Sequence, residues 1–262
     1  PSRMAFIVRG GALDNTAKFT GMADLYAKAR PDYAPAFIDW LFSDAGMKAG
    51  TVVADIGSGT GIFAKALLSR GSTVYCVEPN ADMRHVAEQT LSGFPNFYSV
   101  NGTAENTTLA AHCAGFITVA QAFHWFDAVR FKAECARIIK PGGKTVLVWN
   151  SRVGTSELVK ENAAICEKYC ASFKGFSGGL EHMEAVIGRF FDNRFETKRF
   201  ANDLLFDKTK FVERSLSASY APKKTDSGYT GYISELEELF ERYAVEGMLT
   251  MPNETIAYLG GF

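Results

Sequence analysis

The sequence predicts an α/β protein whose sheet is mostly parallel and carries helices on both faces. Two observations support this. Short β-branched runs alternate with amphipathic helical segments from residue 35 to residue 150, a pattern typical of successive βαβ units. A glycine-rich turn also joins the first of these strands directly to the next helix. A strand at 194–200 and a terminal strand or hairpin within 248–261 bring the predicted sheet to seven strands.

The alternating region contains five predicted strands with helices before, between and after them. The strands are TVVADIG (51–57), STVYCVE (72–78), NFYSVNG (96–102), AGFITVAQAF (114–123) and KTVLVWN (144–150). The helices are predicted at 35–45, 62–71, 80–91 and 126–139. Gly46 is a stop signal after the first helix, and Pro141 to Gly143 turn the chain before the fifth strand.

After residue 150 the pattern changes to longer helical segments. Residues 155–191, 209–219 and 234–247 are predicted to be mainly helical. We therefore expect one domain over 1–262, with a core of about 20–150 plus 194–262. A helical cap of about 151–219, partly embedded in that core, is expected to fold over the carboxyl ends of the strands.

Composition limits the classes of partner. The formal net charge of -1 offers no basic surface for nucleic acid, and no apolar run is long enough for a signal peptide or a membrane span. The five cysteines have no second Cys/His pair that would complete a metal site, so no metal is expected. Free thiols fit a cytoplasmic protein. A small-molecule substrate and a monomer or homodimer are the resulting expectations.

The segment VVADIGSGTGIF (52–63) is the most informative part of the chain. Its glycines lie between a strand and a helix, where backbone N–H groups can face a ligand. A dinucleotide fingerprint would need glycine or alanine at the position of Ile62. Asp55 would repel a pyrophosphate but suits an ammonium group, and Glu78 ends the second strand, where an acid can bind ribose hydroxyls. The alternative is a glycine turn that only lets the helix pack closely against the strand.

These motifs resemble those of class I S-adenosylmethionine-dependent methyltransferases over about residues 20–150. ADIGSGTG is similar to the first motif of that family, VEPN (77–80) to its ribose-binding acid motif and GTAE (102–105) to its adenine-side motif. AQAFHWFD (120–127) and IKPGG (139–143) are similar to the segments around its fourth and fifth strands. The YxxxRPxY pattern from Tyr26 to Tyr33 resembles the methyltransferase type 11, trans-aconitate-methyltransferase-like group. The resemblance implies a Rossmann-like fold and S-adenosyl-L-methionine as cofactor.

The resemblance also implies a set of cofactor-binding positions. Those positions are Asp55, Gly57, Ser58, Gly59 and Gly61 in the loop at the methionine end; Glu78 and Pro79 at the ribose; Met83, Thr103, Ala104 and Glu105 around the adenine; Ala120 and Gln121 beside the methionine moiety; and Tyr26 and Arg30 before the first motif.

Methyl transfer from a sulfonium mainly needs two aligned reactants in a dry pocket, and a general base helps when the acceptor must lose a proton. His124 follows the fourth strand and is the candidate base; it is alternatively a residue that caps a helix or positions the cofactor. Trp125 is expected to form a pocket wall or, alternatively, to lie in the core. Tyr33, Trp125 and Trp149 are the candidate substrate-binding residues.

The function predicted from these residues is methyl transfer to a small-molecule acceptor by in-line displacement. A catalytically silent S-adenosylmethionine-binding protein is the first alternative. A nucleotide-dependent oxidoreductase is the second, and Asp55 and Ile62 count against it. The aromatic residues of the C-terminal half, such as Phe173 and Phe176, are interpreted either as the core of the cap or as an aromatic substrate pocket.

Overall fold

The computed structural model describes residues 31–176, 183–218 and 220–262. The positions Tyr26 and Arg30, predicted to contact the cofactor, lie outside the described residues.

The first half of the described chain alternates strands and helices as the sequence predicts. Its elements are α1 Pro35–Ser43, β1 Val52–Ile56, α2 Ile62–Leu68, β2 Thr73–Val77, α3 Ala81–Leu91, β3 Phe97–Val100, β4 Ala114–Ala120, a 3₁₀ turn Phe123–Trp125, α4 Ala128–Ile138 and β5 Ile139–Arg152. Polar side chains start two of the helices: Asn80 accepts the amide of Met83, and Asp127 accepts two amides at the start of α4. The predicted turn at Pro141 lies inside β5, where the pairing with β4 is irregular.

The second half is mainly helical but returns twice to the sheet. Its elements are α5 Glu157–Tyr169, α6 Met183–Phe190, β6 Phe195–Ala201, β7 Leu204–Phe206, α7 Lys208–Leu216, α8 Tyr229–Tyr243, β8 Leu249–Met251 and β9 Asn253–Gly260. The terminal stretch predicted as a strand or hairpin forms two strands with different partners: β8 pairs with β7, and β9 joins the main sheet. The three residues of β7 are too few to show a strand period in the sequence.

The main sheet has seven strands in the order β3-β2-β1-β4-β5-β9-β6. The first five run parallel, and β9 runs antiparallel between β5 and β6. This mostly parallel sheet with helices confirms the predicted fold class. The strand order reverses beside β1, and in open α/β sheets ligands bind at the carboxyl ends of the strands next to such a reversal.

Each face of the sheet carries its own apolar core. Phe37 of α1 and Phe63 of α2 pack on one face, against Val53 of β1 and Val148 of β5. The opposite face is covered by α4 and α6, whose buried side chains meet alternate residues of the same strands. Burial on both faces explains why the central strands are nearly continuous apolar runs.

A third apolar cluster is separate from both faces of the sheet. It joins α5, α7 and α8 to the strands β7 and β8, with Phe211, Tyr232 and Leu236 fully buried at its centre. This cap therefore draws on 157–169 and 204–251, whereas the sequence predicted a cap of about 151–219. The difference arises because the apolar residues of α6 pack with α4 against the sheet, and β6 pairs with β9. No helix within the described residues is both long and apolar enough to cross a membrane.

Candidate active site

The glycine loop after β1 combines a packing role with an open surface. Gly57 has a φ of +67°, and a Cβ there would lie 2.8 Å from the Cβ of Ala122. Gly61 has a φ of +80°, and its Cβ would lie 2.6 Å from a methyl carbon of Leu91. Gly59 also has a positive φ, but a Cβ on it would meet no atom within 4 Å among the described residues. Close packing thus accounts for the outer two glycines, while Gly59 faces open space between them.

Asp55 is a fully buried carboxyl group two residues before this loop. Its Oδ1 accepts a hydrogen bond of 2.7 Å from the hydroxyl of Thr118 on β4. Its Oδ2 is also buried and has no hydrogen-bond partner among the described residues. Burial raises the pKa of Asp55 to about 7, the Thr118 hydrogen bond opposes that rise, and the nearby Glu78 adds to it. A cationic donor would supply what this carboxyl group lacks.

Glu78 follows the end of β2 and is hydrogen-bonded to the glycine loop. Its Oε2 accepts the amide of Gly59 at 3.0 Å, and its Oε1 accepts the amide of Asn80 at 2.9 Å. Burial raises the pKa of Glu78, while these two amides and the charge of Arg84 oppose the rise. Arg84 donates hydrogen bonds to the carbonyl oxygens of Glu78 and Pro79, both at 2.8 Å, and so holds the acidic turn in place.

The residues present fit S-adenosylmethionine. The unpaired oxygen of Asp55 can receive the ammonium group of the methionine moiety, and each oxygen of Glu78 keeps a lone pair for a ribose hydroxyl. A Cβ on Gly59 would meet no described atom within 4 Å, so the loop is open beside Glu78. No arrangement of three or more His, Cys, Asp or Glu side chains suited to a metal ion occurs within the described ranges.

Replacement of Glu78 by Ala is expected to weaken the binding of S-adenosylhomocysteine by about 1.5–3 kcal/mol, the usual scale for hydrogen bonds to a charged group. The fold should survive because the residue lies beyond the end of β2 and is partly exposed. Titration calorimetry measures the effect, and Glu78→Gln, which retains one acceptor oxygen, should lose less. Glu196→Ala on the surface of β6 is the matched control. Equal affinity in Glu78→Ala and in the wild type would remove Glu78 from the ribose site.

The predicted adenine-side residues follow the carboxyl ends of two neighbouring strands, Met83 after β2 and the others after β3. Met83 lies in the first turn of α3 with 3% of its surface exposed. Thr103 forms an isolated bridge with Asn106, and Ala104 is buried in the cluster beneath. The carboxylate of Glu105 accepts the amide of Asp127 at 2.9 Å, which ties this turn to the start of α4. Their contacts with adenine stay a prediction.

The end of β4 is locally strained and lies next to the glycine loop. Gln121 has a φ of +59°, a conformation that is unusual for a residue other than glycine. Its amide donates to the carbonyl of Val148, and its side chain donates to the carbonyl of Asn150 at 3.3 Å. Ala120 precedes it, in register with Val148. These hydrogen bonds join the ends of β4 and β5 directly beside Ala122, which packs on Gly57.

His124 and Trp125 form the 3₁₀ turn that follows. Both side chains are exposed, Trp125 by 40%, and their rings lie 4.7 Å apart. The exposure argues against the interpretation of Trp125 as core. The structure therefore presents an imidazole and an indole at the carboxyl end of β4, where the acceptor is expected, and their roles stay predictions.

The other two candidate substrate residues occupy different surroundings. Tyr33 is half-buried, with its ring 5.0 Å from that of Phe63. Trp149 is only 2% exposed and packs edge-on against Phe123 and Tyr258, within the core on the α4 side. The structure does not bring Trp149 to the surface that carries His124 and Trp125.

Sequence reasoning missed a polar network at the end of β5. Asn150 donates to the carbonyl oxygens of Pro31 and Asp32, and its own Oδ1 accepts hydrogen bonds from Thr255 and Asn202. The network holds the segment before α1 against the sheet at the edge where the site lies. The only signal of this network in the sequence was a polar residue at the end of an apolar strand. The partners of Asn150 could not be predicted, because they lie up to 119 residues away.

The sheet is doubly wound, with an acidic residue at the end of β1, another just after β2 and an open glycine in the loop after β1. This arrangement resembles the nucleotide-binding sites of open α/β sheets. Residues 54–147 match the family described as a methyltransferase domain. An uncharacterised methyltransferase of Mycobacterium tuberculosis is 37% identical over 139 residues, which are 53% of this chain and 54% of the relative. One of Schizosaccharomyces pombe is 29% identical over 150 residues, 57% of this chain and 58% of the relative.

Among solved structures, a protein of Anaeromyxobacter dehalogenans provisionally described as a type II methyltransferase has the same fold. It superposes with a TM-score of 0.67 at 18% identity, covering 88% of this chain and 97% of the other. The matches to the curated relatives span about half the length of those proteins. Residues 54–147 are similar to a methyltransferase domain, in agreement with the class I S-adenosylmethionine-dependent methyltransferases that the motifs resemble, a class whose cofactor is S-adenosylmethionine. This confirms the family predicted from the motifs.

Proposed function

We propose that the protein transfers the methyl group of S-adenosylmethionine to a small-molecule acceptor by in-line displacement. The observation that carries the proposal is the pair of carboxyl groups around the open glycine loop. Glu78 is hydrogen-bonded to Gly59 itself, and Asp55 keeps a buried oxygen without a partner among the described residues. A ligand with an ammonium group at one end and a ribose at the other complements both acids, whereas the pyrophosphate of a dinucleotide would be repelled by Asp55.

The protein contributes alignment and exclusion of water. When bound, the cofactor supplies a methyl group on a positively charged sulfur. The loop and Glu78 would hold its ribose, Asp55 would hold its ammonium group, and the strained turn at Gln121 would support the polypeptide on the methionine side. Holding two reactants in line in this way supplies about 7–11 kcal/mol of the reduction in barrier.

The proposed acceptor is a small molecule, and the proposed location is the cytoplasm. The net charge of -1 gives no general attraction to nucleic acid, and this supports a small molecule as the acceptor. Five free cysteines, four of them buried, support a reducing compartment.

Binding of S-adenosylhomocysteine and of NAD tests the cofactor. S-adenosylhomocysteine is expected to bind one to one in titration calorimetry, and NAD is expected to give no measurable heat, because its pyrophosphate would approach Asp55. Tighter binding of NAD than of S-adenosylhomocysteine would overturn the proposal.

Transfer of labelled methyl from S-adenosylmethionine into a metabolite extract then tests the reaction. A labelled product of low molecular mass is expected. Tight cofactor binding with no labelled product from any extract would favour the silent binding protein instead.

A further inference from the structure

We propose that Arg152, at the carboxyl end of β5, binds a carboxylate group of the methyl acceptor. This inference deepens the proposed function and rests on it, because it names the chemical class of the acceptor. The site consists of Arg152, Asn162 of α5 and the aromatic side chains Phe173, Phe176 and Tyr220. It lies where the sheet meets the cap.

Arg152 is only partly engaged by the protein. Its Nη1 donates to the Oδ1 of Asn162 at 2.6 Å and lies 3.8 Å from the sulfur of Met251. Its guanidinium carbon lies 3.8 Å from the centre of the Phe176 ring, so the ring covers one face of the guanidinium. Neither Nε nor Nη2 has an acceptor among the described residues. These two atoms form the edge of the guanidinium that binds a carboxylate in bidentate fashion.

The charge of Arg152 has no acidic partner in the described part of the chain, in contrast to other arginines. Arg137, Arg199 and Arg242 each lie within 2.7 Å of a glutamate oxygen. Arg152 is nevertheless partly buried, and that burial lowers its pKa. A partly buried cation without a counter-ion is costly, so an incoming anion would be stabilised there.

Asn162 provides a second unsatisfied donor next to Arg152. It is 1% exposed, and its Nδ2 has no hydrogen-bond partner among the described residues. Because its Oδ1 is held by Arg152, its amide is oriented by the same guanidinium that lacks an acid. Two neighbouring side chains therefore have donors without an acceptor among the described residues.

The register of β1, β4 and β5 shows that Arg152 lies far from Asp55, where the methionine end of the cofactor is proposed to bind. Asp55 is in register with Thr118 of β4, and Thr118 with Val146 of β5. Arg152 lies six residues further along β5, about 20 Å at a rise of about 3.3 Å per residue. A ligand whose ammonium group is held at Asp55 has its carboxylate on the adjacent carbon, beyond the reach of Arg152. The anion is therefore assigned to the acceptor.

Alternation along β5 places Arg152 on the same face of the sheet as Asp55. Val146 and Val148 pack on the same face as Val53, and Asn150 and Arg152 continue that row. Asp55, two residues after Val53, belongs to this face as well. β5 is separated from β1 by β4, on the side away from β2 and Glu78. The aromatic rings of the site suit an apolar or aromatic carbon skeleton: Phe173 lies 5.1 Å from Phe176 and 5.0 Å from Tyr220.

Benzoate and its neutral isostere benzamide are suitable probes. Each probe is titrated at constant ionic strength into the wild type and into every variant, and binding is followed by NMR from the backbone amide resonances of Asn162 and Phe173. In the wild type, the Nε–H resonance of Arg152, assigned by its loss in Arg152→Lys, also reports contact with the guanidinium. A saturable shift with benzoate is expected, with an affinity at least tenfold above that for benzamide. Arg152→Gln should reduce the benzoate affinity at least tenfold. Arg199→Gln, which removes an arginine paired with Glu254, is the matched control and should leave it unchanged.

Each titration is run with and without S-adenosylhomocysteine, so that failure of cofactor binding is distinguished from failure of the anion site. Arg152→Gln should change the affinity for S-adenosylhomocysteine less than twofold and should keep the far-ultraviolet circular dichroism of the wild type. Equal affinity for benzoate and benzamide, or unchanged benzoate binding in folded Arg152→Gln or Arg152→Lys, would overturn the proposal. A tenfold loss of cofactor affinity in Arg152→Gln would also overturn it, because the anion would then belong to the cofactor.

Discussion

Replacement of His124 by Asn is expected to reduce methyl transfer by about two to four orders of magnitude, the span typical of general-base loss. The imidazole is exposed at the carboxyl end of β4, next to Trp125, and lies outside the strands of the sheet. Cofactor affinity should therefore stay nearly intact. The rate of the wild type should also fall on the acid side of its pH profile, because protonation of the imidazole removes the base. Initial rates with the acceptor found in the extract assay measure both effects.

His85→Asn is the matched control for that measurement, because His85 is an exposed histidine of α3 whose ring nitrogen contacts the exposed side chain of Gln89. It should retain the wild-type rate. If His124 only shapes the pocket, His124→Asn should lower cofactor affinity, and no acid limb matching an imidazole should appear in the wild type. Full turnover in His124→Asn would end the assignment of a base and would leave the methyltransferase assignment intact.

Binding of S-adenosylhomocysteine is expected to strengthen as the pH rises towards and through 7. The pKa of Asp55 in the free protein is raised to about 7 by burial, whereas the proposed partner is an ammonium group that requires the ionised carboxylate. Below pH 7 the ligand must therefore displace a proton, which lowers its affinity by up to about tenfold per pH unit. Calorimetry from pH 5.5 to 8 in buffers of different ionisation enthalpy measures both the affinity and the proton released.

The raised pKa of Asp55 also makes the free energy of unfolding of the ligand-free protein depend on pH. The direction is opposite to that of cofactor affinity. A carboxyl group whose pKa is raised on folding binds more protons in the folded state, so its stabilising effect is present at low pH and declines as the pH rises from about 4 to about 7. Asp55→Asn should flatten the pH profiles of cofactor affinity and of the free energy of unfolding. Asp39→Asn, at an exposed position of α1, should flatten neither profile. A cofactor affinity that is independent of pH between 5.5 and 8 in the wild type would contradict the proposed contact.

The part of the site that could be predicted from sequence is the part built from neighbouring residues. The glycine loop, Asp55 and the start of α2 lie within twelve residues, and a strand, a turn that requires positive φ and a helix follow one another there. Parallel strands then bring the ends of β1, β2 and β4 to one edge of the sheet. Asp55 and Glu78 could therefore be placed at that edge from the alternation of elements alone.

The alternation of strands and helices along the chain also predicted the sheet, but it did not predict which helices belong to the cap. Helices α6 and α8 both show an apolar face, and amphipathicity indicates that a face is buried without indicating its partner. In the tertiary structure α6 packs with α4 on the sheet, and α8 packs with α5 in the cap. Trp149 illustrates the same limit, because a large aromatic residue on a central strand is compatible with either the core or a pocket wall.

By itself, therefore, the sequence determined the doubly wound fold, the glycine loop and the two acids, since these depend on local conformation and on the period of apolar residues. Only the tertiary structure decided the surroundings of Arg152 and Asn150. Arg152 meets Met251 across 99 residues, and Asn150 meets Thr255 across 105. Contacts at such separations depend on how the cap and β9 return to the end of β5, which no local pattern of residues encodes.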